Sequence, residues 1–354
     1  MGLLDLAHAL ITPHSLDRYL ELVRPALTVR DMRAEITAVC RSAPGSVTLT
    51  LRPTWQWRGH RAGQFVRIGV IVNGVKHTRC YSPVNPQSQS RHLELTVKTH
   101  PQGVVSPYLY HRAVPGMVVD LAPAAGSFLL PEHRPDAIVL ISGGSGITPV
   151  LSMLGTLADE SYSGRLAFLH YARTPGQVPH RDRLESIAHR HNSFHIELRY
   201  PRRARDAGPG YFDYKTLQRV APWFARAQTY VCGPAALRES VQRIYAAEGI
   251  ENRLHTEAFT LTATPVNPAE VTGAAMFSAS GVRSDNTGAS LLEQAEAAGL
   301  TPEFGCRMGI CFSCTAVKRS GCTRDLRTGE LDNDPDQPIQ LCINAAVGDV
   351  DIEI

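Results

Sequence analysis

The sequence has no run approaching the ~18–20 consecutive apolar residues that a membrane-spanning helix needs. No charged n-region stands before its short N-terminal apolar segment. Both absences point to a cytoplasmic protein. There is no internal repeat and no low-complexity tract, which sets aside solenoids and fibrous chains. Net charge is also small, at +3 over 354 residues. The densest basic group, Arg202, Arg203 and Arg205, lies in a Gly/Pro-containing stretch without interleaved aromatics. That pattern argues against nucleic acid as a partner.

What the chain does have is an ordinary globular composition, 43% apolar and 19% charged. Its length suggests two or three compact units. Residues 1–33 read as an N-terminal helical extension, with Ser15 as a cap and Leu16, Tyr19, Leu20 and Val23 on one stripe. Residues 34–131 carry short alternating runs, Ser46–Arg52, Gln64–Val70 and Leu93–Lys98, between Gly, Pro and Asn turns. This spacing predicts a small antiparallel β-barrel. Over residues 132–260, apolar runs such as Ala137–Ile141 and Leu166–Tyr171 alternate with helical stretches such as Val150–Ala158 and Ala235–Glu248. The alternation predicts an α/β domain on a parallel sheet. A Thr/Pro/Asn-rich stretch makes 261–270 a linker, and 271–354 reads as an α+β unit with one helix, Ala289–Ala298. A monomer is expected.

Eight cysteines are present, of which Cys40, Cys80, Cys232 and Cys322 are isolated. The others, Cys306, Cys311, Cys314 and Cys342, form a C-x4-C-x2-C group with a distant fourth member. This is the plant-type [2Fe-2S] ligand spacing, in which each iron takes two thiolates beside the bridging sulfides. Structural zinc is the competing reading, but zinc usually brings two C-x2-C pairs and only one is here. Cys322 lies outside the spacing, within a stretch (320–332) that reads as a loop, and is taken as a free thiol.

Two further sites are marked by short motifs. Arg79-Cys80-Tyr81-Ser82 puts Arg79 and Tyr81 on one face of a strand. It offers a cation for phosphate, a flat apolar ring and a hydroxyl, the groups a flavin requires. A half-buried strand with no ligand is the plainer alternative. Val97-Lys98 precedes Gly103-Val104-Val105-Ser106, a glycine turn running into a helix start, where free N–H groups attract phosphate. The strand Ala137–Ile141 runs into Gly143-Gly144-Ser145-Gly146-Ile147-Thr148, a variant of the dinucleotide turn. A ligand-free βα turn would look the same. Cys232-Gly233-Pro234 marks a second such turn, and Arg173 stands where a ribose 2′-phosphate could be met, favouring NADPH over NADH.

In this order, residues 34–354 resemble the ferredoxin-NADP reductase superfamily with a C-terminal plant-type ferredoxin domain, the layout of oxygenase reductase components. The resemblance implies a multidomain fold: an FAD-binding β-barrel, an NAD(P)H-binding parallel-sheet domain and a β-grasp [2Fe-2S] domain. It implies Arg79 and Ser106 on flavin phosphate, Tyr81 against the ring, and Ser82 near N5 where hydride arrives. The nucleotide would be framed by Gly144–Thr148 and Cys232–Pro234. Phe259 would belong to a segment closing near the flavin. FMN is the alternative flavin, since phthalate dioxygenase reductase shares the order and uses FMN. Thr12-Pro13-His14, Tyr19–Val23 and Trp57-Arg58-Gly59 are similar more narrowly to actinobacterial reductases that serve acyl-CoA Δ9 desaturases. That likeness implies a membrane desaturase as electron acceptor, with membrane contact only through that partner. A soluble Rieske or diiron oxygenase is the second acceptor, and a flavin redox sensor without turnover the third reading.

Overall fold

In a computed structural model, residues 28–100, 103–201, 212–259, 266 and 271–354 are described. The expected N-terminal helices up to residue 27, the Arg202–Arg205 group and nearly all of the linker lie outside these residues. Residues 28–32 form no helix. The chain divides into two compact units, Met1–Glu257 and Ala258–Ile354.

In the first unit, β1 (Arg33–Ala43), β2 (Ser46–Pro53), β3 (Val66–Val72), β4 (Val75–Tyr81), β5 (Leu93–Lys98) and β6 (Val118–Leu121) form an antiparallel sheet ordered β4-β3-β6-β1-β2-β5. Alternation drives it. Val47, Leu49 and Leu51 of β2 are fully buried while the residues between them are not. The sheet curls until the segment after β4 meets β5, where Val84 N–H donates to the Glu94 carbonyl at 2.8 Å and Pro83 bridges Leu95. Helix α1 (Val105–Arg112) closes the core with Val105 and Leu109.

A five-stranded parallel sheet follows: β7 (Ala137–Gly143), β8 (Arg165–Tyr171), β9 (Phe194–Arg199), β10 (Gln228–Cys232) and β11 (Leu254–Glu257), ordered β11-β10-β7-β8-β9. Its helices are α2 (Ile147–Asp159), α3 (Arg181–Arg190), α4 (Tyr214–Val220) and α5 (Ala235–Ala247). Every residue of β7 is buried, as a strand covered on both faces requires. Val139, Ile141, Ala167 and Leu169 pack on Leu217 and Val220 of α4 and Val241 and Tyr245 of α5. The chain leaves β7 toward β8 on one side and returns to β10 on the other. The carboxyl end of β7 is therefore a topological switch point, the place where such sheets bind ligands.

The second unit holds β12 (Ala274–Phe277), β13 (Val282–Asp285), α6 (Leu291–Ala297), β14 (Thr315–Asp325), β15 (Leu331–Asp332), β16 (Gln337–Gln340) and β17 (Asn344–Glu353). The sheet is mixed: β12 and β17 run parallel, and the remaining pairs are antiparallel. A capping box, Ser290 with Glu293, starts α6, whose Leu291, Leu292 and Ala295 enter the core beside Phe277 and Ile352. One expectation is corrected here. The stretch 320–332 is strand through Asp325, and Cys322 lies in β14 opposite Val347. Ser320-Gly321-Cys322-Thr323-Arg324-Asp325 lacks apolar alternation because β14 shifts register at Gly321/Cys322, so pairing with β17 rather than patterning makes it a strand. No helix among the described residues is long and apolar enough to cross a membrane.

Candidate functional site

Strand β4 delivers Arg79 and Tyr81 in register with Ile68 and Val66 of β3. Tyr81 packs against the barrel core, and burial pushes its phenol well above the ordinary range. Arg79 Nη1 donates to the Thr78 carbonyl at 2.8 Å. Ser82, just beyond the strand, is buried, and its Oγ has no hydrogen-bond partner in the protein. A buried hydroxyl left this way is costly unless a ligand answers it. Such a donor beside a half-buried tyrosine ring fits a flavin. Val97 is core, whereas Lys98 is exposed at the end of β5. Gly103 and Val104 lead into α1, and Ser106 Oγ accepts from His100 N–H at 3.1 Å. A Cβ on Gly103 would stand 3.0 Å from that Oγ, so the turn is tight.

At the switch point, Gly143, Gly144, Ser145 and Gly146 form the turn between β7 and α2. A Cβ on Gly146 would sit 2.2 Å from the Cys232 carbonyl oxygen, and one on Gly143 would sit 2.9 Å from Pro234 Cδ. The two turns read separately in the sequence, 143–146 and 232–234, are thus one structure in backbone contact. Thr148 is buried with its Oγ1 donating to the Ser145 carbonyl at 3.3 Å. Arg173 follows β8 and is exposed. Desolvation by the protein around its stem, and secondly the Arg173 charge, lower the Lys98 ammonium from its ordinary value although the residue as a whole is exposed. Two cations from separate strand ends therefore bear on one another, an arrangement that an anion relieves.

Sequence reasoning missed His170, on β8 opposite Ser142. The Ser142 hydroxyl and His170 Nδ1 are 2.9 Å apart, both fully buried, and His170 Nε2 has no partner. Burial, with a contribution from Lys98, lowers the imidazole to about 3. Its strand reads as plain apolar core, so no sequence signal marks it. Nor does the sequence show that Cys232 Sγ lies 4.0 Å from Glu257 Oε2, a contact between adjacent strands. Burial pushes the Glu257 carboxyl from 4.5 up to about 8. The unfolded chain thus releases this proton near 4.5 and the folded chain keeps it to about 8. Between those values folding takes up a proton, so stability falls as pH rises. Glu257→Gln is expected to remove a few kcal/mol of that fall, read as the native-minus-variant difference in urea midpoints at pH 5 and pH 8.5. A constant difference would refute it.

In the second unit the loop 305–314 gathers sulfur. Met308 and Ile310 N–H groups each donate to Cys306 Sγ at 3.4 Å, and Cys306 N–H donates to Cys311 Sγ at 3.1 Å. A Cβ on Gly305 would lie 2.8 Å from Cys311 Sγ, so only glycine lets the backbone come this close. Cys342 is hydrogen-bonded to Cys306 and Cys314; this lowers the Cys314 thiol to about 7 and pushes the Cys342 thiol up. Among the described residues no three His, Cys, Asp or Glu side chains surround one ion-sized point. The donor set, four cysteines with backbone N–H groups turned to sulfur, fits thiolate ligands of a cluster bound in pairs. Phe259 is half-buried and falls in the second unit.

Comparison with known proteins places these observations. Residues 42–129 match the oxidoreductase FAD-binding domain family and residues 140–243 the oxidoreductase NAD-binding domain family. Over its whole length the chain is 34% identical to an NADPH oxidoreductase of Mycobacterium tuberculosis, covering 92% of it. It is 29% identical, over 88% of its length and 93% of the relative's, to the stachydrine N-demethylase reductase subunit Stc4 of Rhizobium meliloti. A glycine betaine monooxygenase reductase subunit of Pseudomonas aeruginosa is 27% identical over 83% of this chain and 87% of its own. The fold aligns with phthalate dioxygenase reductase at a TM-score of 0.64 and 24% identity, over 91% of this chain and 97% of that one. With both domain families matched in this order and one relative matched from end to end, the chain belongs to the ferredoxin-NADP reductase superfamily, as an oxidoreductase with FAD- and NAD-binding domains.

Proposed function

We propose that the chain is a reductase that uses NADPH, FAD and a [2Fe-2S] cluster to supply single electrons to an oxygen-using partner. The observation that carries this reading is the presence, in one chain with the two matched domains, of a three-cysteine loop whose backbone N–H groups point at sulfur, with Cys342 as a fourth cysteine. Bound flavin supplies the conversion between two-electron nicotinamide chemistry and one-electron iron chemistry. The chain's residues bind and orient. Ser82 presents its hydroxyl to the ring, Tyr81 lies against it, and Arg79, Ser106 and the N–H groups of 103–105 hold phosphate. Gly143–Gly146, Thr148 and Cys232–Pro234 cradle the nucleotide, and Lys98 and Arg173 meet its negative charge. Cys306, Cys311, Cys314 and Cys342 ligate the cluster in a β-grasp domain spanning 271–354, joined by a linker at 261–270 to flavin (34–131) and nucleotide (132–260) domains.

The acceptor we favour is a membrane fatty acyl-CoA desaturase, on the likeness of the opening segments alone. A soluble oxygenase is the second reading, supported by relatives named as reductase subunits of an N-demethylase and a monooxygenase. The deciding assay adds the FAD- and iron-loaded protein to reductase-depleted actinobacterial membranes with NADPH and stearoyl-CoA. Oleoyl product is expected. No product, with ferricyanide reduction still brisk, moves the acceptor to a soluble oxygenase. Slow anaerobic bleaching by NADPH would leave only a flavin sensor.

A further inference from the structure

We propose that the acceptor protein docks on the cysteine loop through Phe312, seated in an apolar socket of the partner; this rests on the cluster reading above. Phe312 stands between Cys311 and Cys314 and is 68% exposed. Its φ is +57°, a left-handed backbone that a bulky residue adopts only under strain. The turn is pinned in that shape. The Phe312 carbonyl accepts from Thr315 N–H at 3.2 Å and from Thr315 Oγ1–H at 2.7 Å. Asparagine or glycine would fit the backbone with less strain, and any polar residue would suit the exposure. Neither local conformation nor burial accounts for an aromatic here. A partner's pocket does, because aromatic anchors carry much of the energy of protein interfaces.

The surroundings say what kind of partner fits. From Phe304 to Thr315 the only charged residue is Arg307. Glu296 holds it through both guanidinium nitrogens, Nη1 at 2.9 Å, and it stacks on Phe304 at 3.9 Å. Met308 and Ile310 beside it are half-buried. The loop thus presents apolar surface with its one charge neutralised. The unit around it is acidic, with twelve acidic and six basic residues over 271–354. The matching surface is an apolar socket rimmed by basic residues. Charge steers the approach, and Phe312 supplies the contact that remains when charge is screened.

Cytochrome c, a basic haem protein, serves as the probe, with the full chain loaded with FAD and iron–sulfur cluster. Phe312→Asn is expected to raise the Kd for oxidised cytochrome c, measured without NADPH, and the KM for its reduction, each about tenfold. The ratio should persist at 0.5 M NaCl, where the Debye length is about 4 Å. Ferricyanide reduction, iron content and Tm should be unchanged or, for Tm, raised, since asparagine relieves the strained φ. Equal Kd values for the native chain and Phe312→Asn overturn the inference, as does a weakened Kd accompanied by loss of iron and a fall in Tm, which would mark a structural role. A native chain that holds no iron overturns the cluster reading, and this inference with it.

Discussion

Gly146→Ala is expected to cut NADPH-dependent ferricyanide reduction about a hundredfold while leaving flavin content unchanged, because a displacement of about 1 Å at a binding turn is enough for that loss. The added methyl would stand 2.2 Å from the Cys232 carbonyl oxygen, 2.5 Å from its carbon and 2.7 Å from Gly233 nitrogen. All three are backbone atoms of the neighbouring strand-to-helix turn, so no side chain can move aside. Either α2 retreats from β10 or the Cys232–Pro234 turn shifts, and both move the N–H groups that face a pyrophosphate. Gly144→Ala is the matched control. Its φ is +56° but nothing lies within 4 Å of the new methyl, so only left-handed strain of about 1 kcal/mol is expected. The check is steady-state kinetics with varied NADPH alongside Tm. A Gly146→Ala enzyme within threefold of native would show that close contact of the two turns is not what shapes the nucleotide site.

This contrast between two glycines also shows where the sequence stops being legible. Ala137–Ile141 followed by glycines announces strand, turn and helix because each signal is local, and the run Leu93–Lys98 marks β5 at its observed bounds for the same reason. The C-x4-C-x2-C spacing of Cys306, Cys311 and Cys314 is likewise local. What escapes is set by elements that meet only in the fold. Gly146 and Gly144 look alike in the chain, and only the neighbouring turn at 232–234 separates them. Asn85, fully buried, ties the barrel to the nucleotide-binding part of the same unit: its carbonyl accepts from Ser152 Oγ at 2.7 Å, and its side chain bonds Gln89, His92 and Glu94. Nothing in Val84-Asn85-Pro86 signals this. His180 also crosses that junction, its Nε2 lying 2.6 Å from Thr96 Oγ1, with burial holding the imidazole down to about 4. Strand β14 was lost because pairing with β17, rather than alternation, holds its second half in place.

Cys311→Ser is expected to lower cytochrome c reduction about a hundredfold or more, exceeding the 10–100-fold cost of losing an outer-shell partner, with ferricyanide reduction at the flavin retained. Serine keeps the size of the side chain but replaces a soft thiolate by a poorly acidic hydroxyl, which suits iron–sulfur chemistry badly. Cys311 is also the sulfur that accepts from Cys306 N–H at 3.1 Å and packs where Gly305 has no side chain, so its loss loosens the loop as well as the ligand set. The damage should stay local. Among the described residues, the cores of the flavin and nucleotide sheets contain none beyond Glu257, and the second unit is compact by itself. Three readouts separate the readings: iron and sulfide content, the visible spectrum after anaerobic NADPH, and the ratio of the two reductase activities. Loss of iron with an unchanged ratio would mean that cytochrome c takes electrons from the flavin directly. Retained iron as one tetrahedral ion, with no sulfide in the native chain either, would return the site to structural zinc-type ligation. Loss of iron, sulfide and cytochrome c reduction together, with flavin chemistry intact, is the result that a terminal one-electron exit in the second unit requires.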